Sequence, residues 1–323
     1  MFDFLNQWFD SQPWTLAAAL VAGLVLLVKG ADWLVGGASG LAKRLGVSDL
    51  LIGLTVVAFG TSMPEFVVNM VSVSEGSTDL AVTNILGSNI INTFVILGLT
   101  AVVCPVVSQR TSRALDIPMA TVAGLFVLCF AWTGGISFWE SMALLVMFVV
   151  YMVVTFFISR KKGQDEEGKV ASMPIWRALL LIAAGLCGLV TGGEAIVKSA
   201  VHIATDLGVS EAIIGLTIVA LGTSLPELAT SVAAAARKNS DIALGNVLGS
   251  NIFNVFLVLG VSGAIQTLPA YKGFVLDSLM AAVGCALVWL FVETNKRKEV
   301  KRWEGALLLA VYAAYLTYRL MML

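Results

Sequence analysis

Glu65 and Glu227 each close the same six-residue pattern, G-T-S-x-P-E, formed by Gly60, Thr61, Ser62, Pro64 and Glu65 and again by Gly222, Thr223, Ser224, Pro226 and Glu227. Both patterns lie inside long apolar runs. Proline lacks an N–H, and its ring presses on the carbonyl four residues back, so a helix through either pattern should break there. The break is expected to free the carbonyls of Ala58, Gly60 and Thr61, and of Ala220, Gly222 and Thr223. Freed carbonyls, two hydroxyls and a carboxylate at one level are hard oxygen ligands, suited to Na⁺ and Ca²⁺ rather than to soft metals. Downstream of each comes N-x-x-G-S-N-x-x-N: Asn84, Gly87, Ser88, Asn89 and Asn92, then Asn246, Gly249, Ser250, Asn251 and Asn254. Ser88 and Asn92 share one helical face, as do Ser250 and Asn254. Asn89 and Asn251 fall off that face and are read as helix-to-helix hydrogen bonders, while Gly87 and Gly249 permit close helix approach.

The elements that must carry these residues are membrane helices. Of 323 residues, 58% are hydrophobic and only 13% charged, with mean hydropathy +0.91. A soluble domain carries about a quarter charged residues, so an ordinary globular enzyme is excluded. Twenty Lys and Arg against 21 Asp and Glu leave no basic excess for a nucleic-acid partner. The four cysteines sit singly in apolar runs and read as buried, inert thiols. Ten stretches are long enough for a hydrocarbon core of about 30 Å. They run from 14 to 36, 49 to 74, 79 to 103, 114 to 133, 137 to 159, 175 to 201, 211 to 236, 241 to 266, 273 to 293 and 304 to 322. The fold class expected is an all-α polytopic membrane protein. No basic residue precedes Lys29, so the first span does not read as a cleavable signal peptide.

The chain repeats itself. Residues 46 to 65 match residues 208 to 227 at 14 of 20 positions, and 79 to 98 match 241 to 260 at 12 of 20, both at an offset of 162. The shared residues are Gly, Thr, Ser, Pro, Glu and Asn, not the Leu and Val that any two apolar helices have in common. The charged stretch 161 to 174 then reads as a linker between a first repeat, 1 to 160, and a second, 175 to 323. Five helices per half is odd, so the second copy must enter the membrane from the opposite side. Lys43 and Arg44 become Thr205 and Asp206 in the second copy, an exchange of loop charge that fits inversion. Sixteen Lys and Arg fall in one set of loops and three in the other, which places the first set in the cytoplasm and both termini outside.

A carboxylate at membrane depth costs about 2.5 kcal/mol or more on insertion scales. No Lys or Arg lies in the four spans that carry the motifs, so a transported cation is the economical partner. Elsewhere, Lys29 with Asp32 and Glu194 with Lys198 can each neutralise themselves on one helix. His202, near an outer helix end, reads as a surface residue, and Trp8, Trp14, Trp176, Trp303 and Tyr271 fit an interfacial belt.

The paired GTSxPE and GSNxxN segments resemble the two alpha repeats of the calcium:cation antiporter (CaCA) superfamily, in its prokaryotic sodium/calcium exchanger branch. The resemblance implies one calcium site flanked by sodium sites where the repeats cross. By motif position, Glu65 and Glu227 with the Thr61 and Thr223 carbonyls resemble the calcium ligands. Ser62, Ser88, Ser224 and Ser250 with the Ala58 and Ala220 carbonyls resemble the sodium ligands, and Asn92 and Asn254 resemble the central pair. Some microbial members and potassium-dependent relatives carry aspartate at the position of Asn254; asparagine there leaves two carboxylates, which neutralise one Ca²⁺ or two Na⁺.

The function expected is a secondary antiporter exchanging calcium for sodium by alternating access, in a prokaryotic inner membrane. It is not an enzyme, and it has no cofactor and no evident protein partner; its partners are the two ions and the bilayer. Proton coupling is the alternative within the class. A cation channel and a membrane-embedded hydrolase using paired acids are the rivals outside it.

Overall fold

A computed structural model describes residues 13 to 163, 173 to 208 and 220 to 321. Trp8, Lys169 in the connector and the opening of the expected seventh span lie outside those residues. The molecule is built from helices because a backbone in hydrocarbon must satisfy its own hydrogen bonds. Among the described residues, seven helices are long and apolar enough to cross a membrane, and an eighth is counted if one bent pair forms a single span.

Among the described residues the first helix is α1, Pro13–Leu45. It runs past the expected end at 36, through Gly36, Gly37 and Gly40, and stops before Gly46, whose φ is +64°. Next come α2, Asp49–Thr61, and α3, Met63–Ser74, bent by 47° at the break, then α4, Thr78–Val103, α5, Ser112–Thr133, and α6, Phe138–Gly163. Helix α6 therefore absorbs Lys161 and Lys162, which were expected to open the linker. The second half runs α7, Ile175–Asp206, α8, Ala220–Thr223, α9, Leu225–Ala236, α10, Ser240–Ile265, and α11, Phe274–Thr294, and closes with α12, Arg302–Met321.

Two very short strand pairs depart from the all-α expectation. β1, Val106–Val107, pairs antiparallel with β4, Glu299–Val300, and β2, Gly135–Ile136, pairs with β3, Leu268–Pro269. Each pin ties the first half to the second at a helix end.

Helices α4 and α10 form the centre, with 83% and 94% of their most apolar windows buried, against 33% for α1 and α7 on the flank. α1 and α7 pack along a seam of small residues: a methyl added at Gly30 would meet the Gly185 carbonyl at 2.8 Å, and one at Gly192 would meet the Gly23 carbonyl at 2.7 Å. Without a hydrophobic force between helices in lipid, such close approach is what holds them. Of the cysteines, Cys285 is buried, but Cys129 and Cys187 are exposed. Both lie on spans whose outer faces are apolar, so exposure there is exposure to the bilayer, and the expectation of four buried thiols is corrected.

Candidate functional site

The break at Ser62 has the form the proline implies. α2 ends at Thr61, Ser62 sits between the helices at φ −87°, ψ 7°, and Pro64 stands in the first turn of α3. The second half repeats this at Ser224, with φ −90°, ψ 5°, and Pro226 in the first turn of α9. Proline is tolerated in a first helical turn, where an N–H has no partner in any case. One expectation needs correction: the Ala58 carbonyl is not freed, because the Ser62 N–H reaches it at 3.0 Å. The Thr61 hydroxyl also lies 3.3 Å from the same carbonyl.

The two breaks meet in the middle of the protein. Glu65, Glu227 and Ser224 are each 1% exposed, Thr61 and Ser62 0%. Ser62 Oγ lies 2.9 Å from Glu227 Oε1 and 2.9 Å from Ser250 Oγ. With one proton to give, Ser62 donates to the carboxylate and accepts from Ser250. On the other side Ser224 Oγ reaches Glu65 Oε1 at 3.5 Å. Each glutamate is thus addressed by the serine of the opposite motif, an arrangement that spacing along the chain does not reveal.

The remaining oxygens are unmet. Glu65 Oε2, Glu227 Oε2, Ser88 Oγ, Thr223 Oγ1, Asn92 Oδ1 and Asn254 Oδ1 are buried without a hydrogen-bond partner. Left so, each costs on the order of 1–3 kcal/mol, more for a charged group. These six oxygens, two of them carboxylate, lie on four spans that lack Lys and Arg, and they are of the hard type that suits Na⁺ or Ca²⁺. No group of three or more His, Cys, Asp or Glu occurs among the described residues, so the negative charge of this oxygen set is that of the two glutamates.

Asn84 and Asn246 carry a role that was not assigned to them from the sequence. Asn246 Nδ2 donates to the Glu227 carbonyl at 3.1 Å and to Ser231 at 2.9 Å, while its Oδ1 accepts from Thr61 at 3.1 Å. Asn84 Nδ2 donates to Asn69 at 2.9 Å and to the Glu65 carbonyl at 3.4 Å. Each asparagine braces the helix turn that presents a glutamate. Their place at the head of the N-x-x-G-S-N pattern was the available signal.

Asn89 and Asn251 do bond between helices: Asn89 Nδ2 donates to the Asn251 carbonyl at 3.2 Å and Asn251 Nδ2 to Thr93 at 2.8 Å. Asn254 Nδ2 donates to Asn89 Oδ1 at 3.0 Å, and the Asn254 Oδ1 has no hydrogen-bond partner. π-helical turns at Gly53–Val57, Ile91–Ile96 and Phe253–Leu259 flank these residues. Such turns shift the side-chain register and here fall at Asn92 and Asn254. Gly249 serves as expected, since a methyl there would lie 2.8 Å from Ala58 Cβ; no described atom comes within 4 Å of the corresponding point at Gly87.

Further out, Glu194 and Lys198 pair at 2.9 Å as expected. Asp32 does not pair with Lys29. It bonds Arg237 at 2.7 Å, because α1 runs beside the end of α9 and a guanidinium fork reaches across.

The family model described as "Sodium/calcium exchanger protein" matches residues 15–157 and 177–321. A putative antiporter, CaxA, of Alkalimonas amylolytica is 35% identical, over 92% of this chain and 96% of its own length. The sodium/calcium exchanger MaX1 of Methanosarcina acetivorans is 32% identical over 92% of this chain and 96% of its own. A solved structure of the sodium-calcium exchanger NCX_Mj superposes with a TM-score of 0.80 at 33% identity, covering 94% of this chain and 98% of that one. With the family's pattern matched through both halves, the chain belongs to the sodium/calcium exchanger protein family, as a multi-pass membrane protein.

Proposed function

We propose that this protein exchanges Ca²⁺ for Na⁺ across the membrane by alternating access around the buried glutamate pair. The observation that carries the reading is the set of unpartnered oxygens on Glu65 and Glu227, held at two facing helix breaks with no basic side chain in the four central helices. Two carboxylates balance one Ca²⁺ or two Na⁺. The ions compete for the same oxygens, and that exclusion couples their fluxes.

In this reading Glu65, Glu227 and the Thr61 and Thr223 carbonyls hold Ca²⁺. Ser62, Ser88, Ser224 and Ser250, with the carbonyls of Ala58 and Ala220, hold Na⁺. Asn92 and Asn254 present amide oxygens at the centre. The same reading takes the chain as ten spans in two inverted five-helix repeats, 1 to 160 and 175 to 323, joined by a cytoplasmic linker. Family membership, the self-similarity at offset 162 and the serine of each motif facing the glutamate of the other support it. The sixteen-to-three distribution of Lys and Arg supports an inner-membrane orientation with both termini outside. The ions are cargo, and the account requires neither a cofactor nor a catalytic step.

Calorimetry of the purified protein tests the site directly. One Ca²⁺ per chain should bind, with an apparent Kd that rises with Na⁺ as competition requires. Calcium binding indifferent to Na⁺ would remove the coupling mechanism.

A further inference from the structure

Away from the glutamate pair, a second buried polar cluster lies between α5 and α6, on helices that carry none of the repeated motifs. Tyr151 donates its hydroxyl to Asp116 Oδ1 at 2.9 Å. The Ser112 hydroxyl lies beside Asp116 and the Thr155 hydroxyl beside Tyr151. Burial is nearly complete: Ser112 is 0%, Asp116 and Tyr151 1%, and Thr155 3% exposed. Yet Asp116 Oδ2, Ser112 Oγ and Thr155 Oγ1 make no hydrogen bond of full geometry. Thr121, Ser141 and Ser199 return their hydroxyls to the carbonyl one turn back, the usual resort of a buried hydroxyl in a helix. Ser112 and Thr155 do not. Residues Ser112–Asp116 also form a π-helical turn, an irregularity that redirects side chains.

The other half of the molecule contains the same pairing with a cation in it. Asp277, one turn into α11 as Asp116 is one turn into α5, accepts from Tyr271 at 2.7 Å and Tyr315 at 2.7 Å, and Arg319 stands 3.4 Å from it. A side chain at Gly273 would run into Arg319 Nη1, so the backbone is cleared for that guanidinium. Asp116 has one tyrosine instead of two. Among the described residues no Lys, Arg or His forms an ion pair with it; Arg113, one turn before it on α5, reaches Glu293 at 3.8 Å through Nη1 and keeps a buried Nε without a partner. The chain supplies the counter-charge at Asp277 and leaves it out at Asp116.

We propose that Asp116, Ser112, Tyr151 and Thr155 form a second cation site, for one Na⁺, separate from the glutamate pair. The donor set is one carboxylate and three hydroxyl oxygens, all hard. A single negative charge matches a monovalent ion. Ca²⁺ would leave an unbalanced charge in a buried place and takes six to eight oxygens. Tyr151 keeps its proton on Asp116 Oδ1 and offers a lone pair to the ion, while Oδ2, Ser112 and Thr155 contribute the remaining oxygens.

The test uses the full-length E65Q/E227Q protein, in which the glutamate pair is neutral, with radioactive ²²Na⁺ binding measured by equilibrium dialysis. Adding D116N should lower bound Na⁺ by one equivalent per chain. T155V and S112A, which keep the carboxylate, should weaken the same equivalent about tenfold and reduce the rise in Tm that Na⁺ is expected to give in the E65Q/E227Q parent. Equal Na⁺ stoichiometry with and without D116N overturns the proposal and leaves a proton or a water on Oδ2. Unchanged Na⁺ affinity in both T155V and S112A overturns it even if D116N does not fold. Because the readout is Na⁺ binding with the central carboxylates neutralised, it is independent of whether the protein exchanges Ca²⁺.

Discussion

The two glutamates are near-equivalent in sequence and unequal in structure. Glu227 is held by Ser62 at 2.9 Å, and Ser62 is itself tied to Ser250; Glu65 has the longer 3.5 Å approach of Ser224, with the Thr223 hydroxyl beside it. Thr61 is engaged by Asn246, whereas the hydroxyl of its counterpart Thr223 makes no hydrogen bond of full geometry. The two motifs differ in how tightly they are tied: the serine contact to Glu227 is the shorter, and Thr61 has an additional link to Asn246. A molecule that alternates between two faces about a fixed site must break its own symmetry in any one state.

Removing either charge should have the largest effect. Glu65→Gln and Glu227→Gln should each reduce Ca²⁺ affinity by at least 100-fold in calorimetry, because one carboxylate cannot neutralise a divalent ion in this setting. Retained affinity in one of them would show that the two halves contribute differently to Ca²⁺.

The bracing asparagines separate the halves next. Asn246→Ala loses the contacts to Thr61, Ser231 and the Glu227 carbonyl, and should weaken Ca²⁺ binding about tenfold and lower stability by about 1–3 kcal/mol. Asn84→Ala, with no described link to the opposite motif, should cost less on both counts. Equal effects would show that the link from Asn246 to Thr61 adds nothing. Asn92→Ala, which removes one neutral oxygen, should leave Ca²⁺ binding weakened several-fold but present.

How much of this was legible beforehand depends on distance along the chain. The motifs, the helix break and the interhelical role of Asn89 and Asn251 follow from local chemistry: a proline in an apolar run, or an amide off the shared face. Which serine faces which glutamate does not, because Ser62 and Glu227 meet only through packing. Asp32 was matched to Lys29, its neighbour in sequence, when Arg237 from another helix end was nearer in space. The π turns were invisible to a 3.6-residue period, and Asp116 with Tyr151 carried no motif to mark them. The freed Ala58 carbonyl was a misreading of the proline, whose missing N–H bears on Gly60, four residues back, and not on Ala58.

The smallest expected effect is at that outer contact. The Asp32–Arg237 pair is partly exposed, so Asp32→Asn should change thermal stability by no more than about 1 kcal/mol. A pair joining a flank helix to the end of the helix that carries Glu227 would instead register in turnover, if exchange requires α1 to move against α9.

The central claim is that Na⁺ and Ca²⁺ compete for one buried glutamate pair and are thereby exchanged. Its most direct test is uptake of ⁴⁵Ca²⁺ by proteoliposomes of the purified protein loaded with Na⁺ and diluted into Na⁺-free buffer. The account predicts uptake that requires the outward Na⁺ gradient, collapses when the gradient is dissipated, and is abolished in Glu65→Gln and Glu227→Gln. Uptake that proceeds equally without Na⁺, or that survives either substitution, would contradict it.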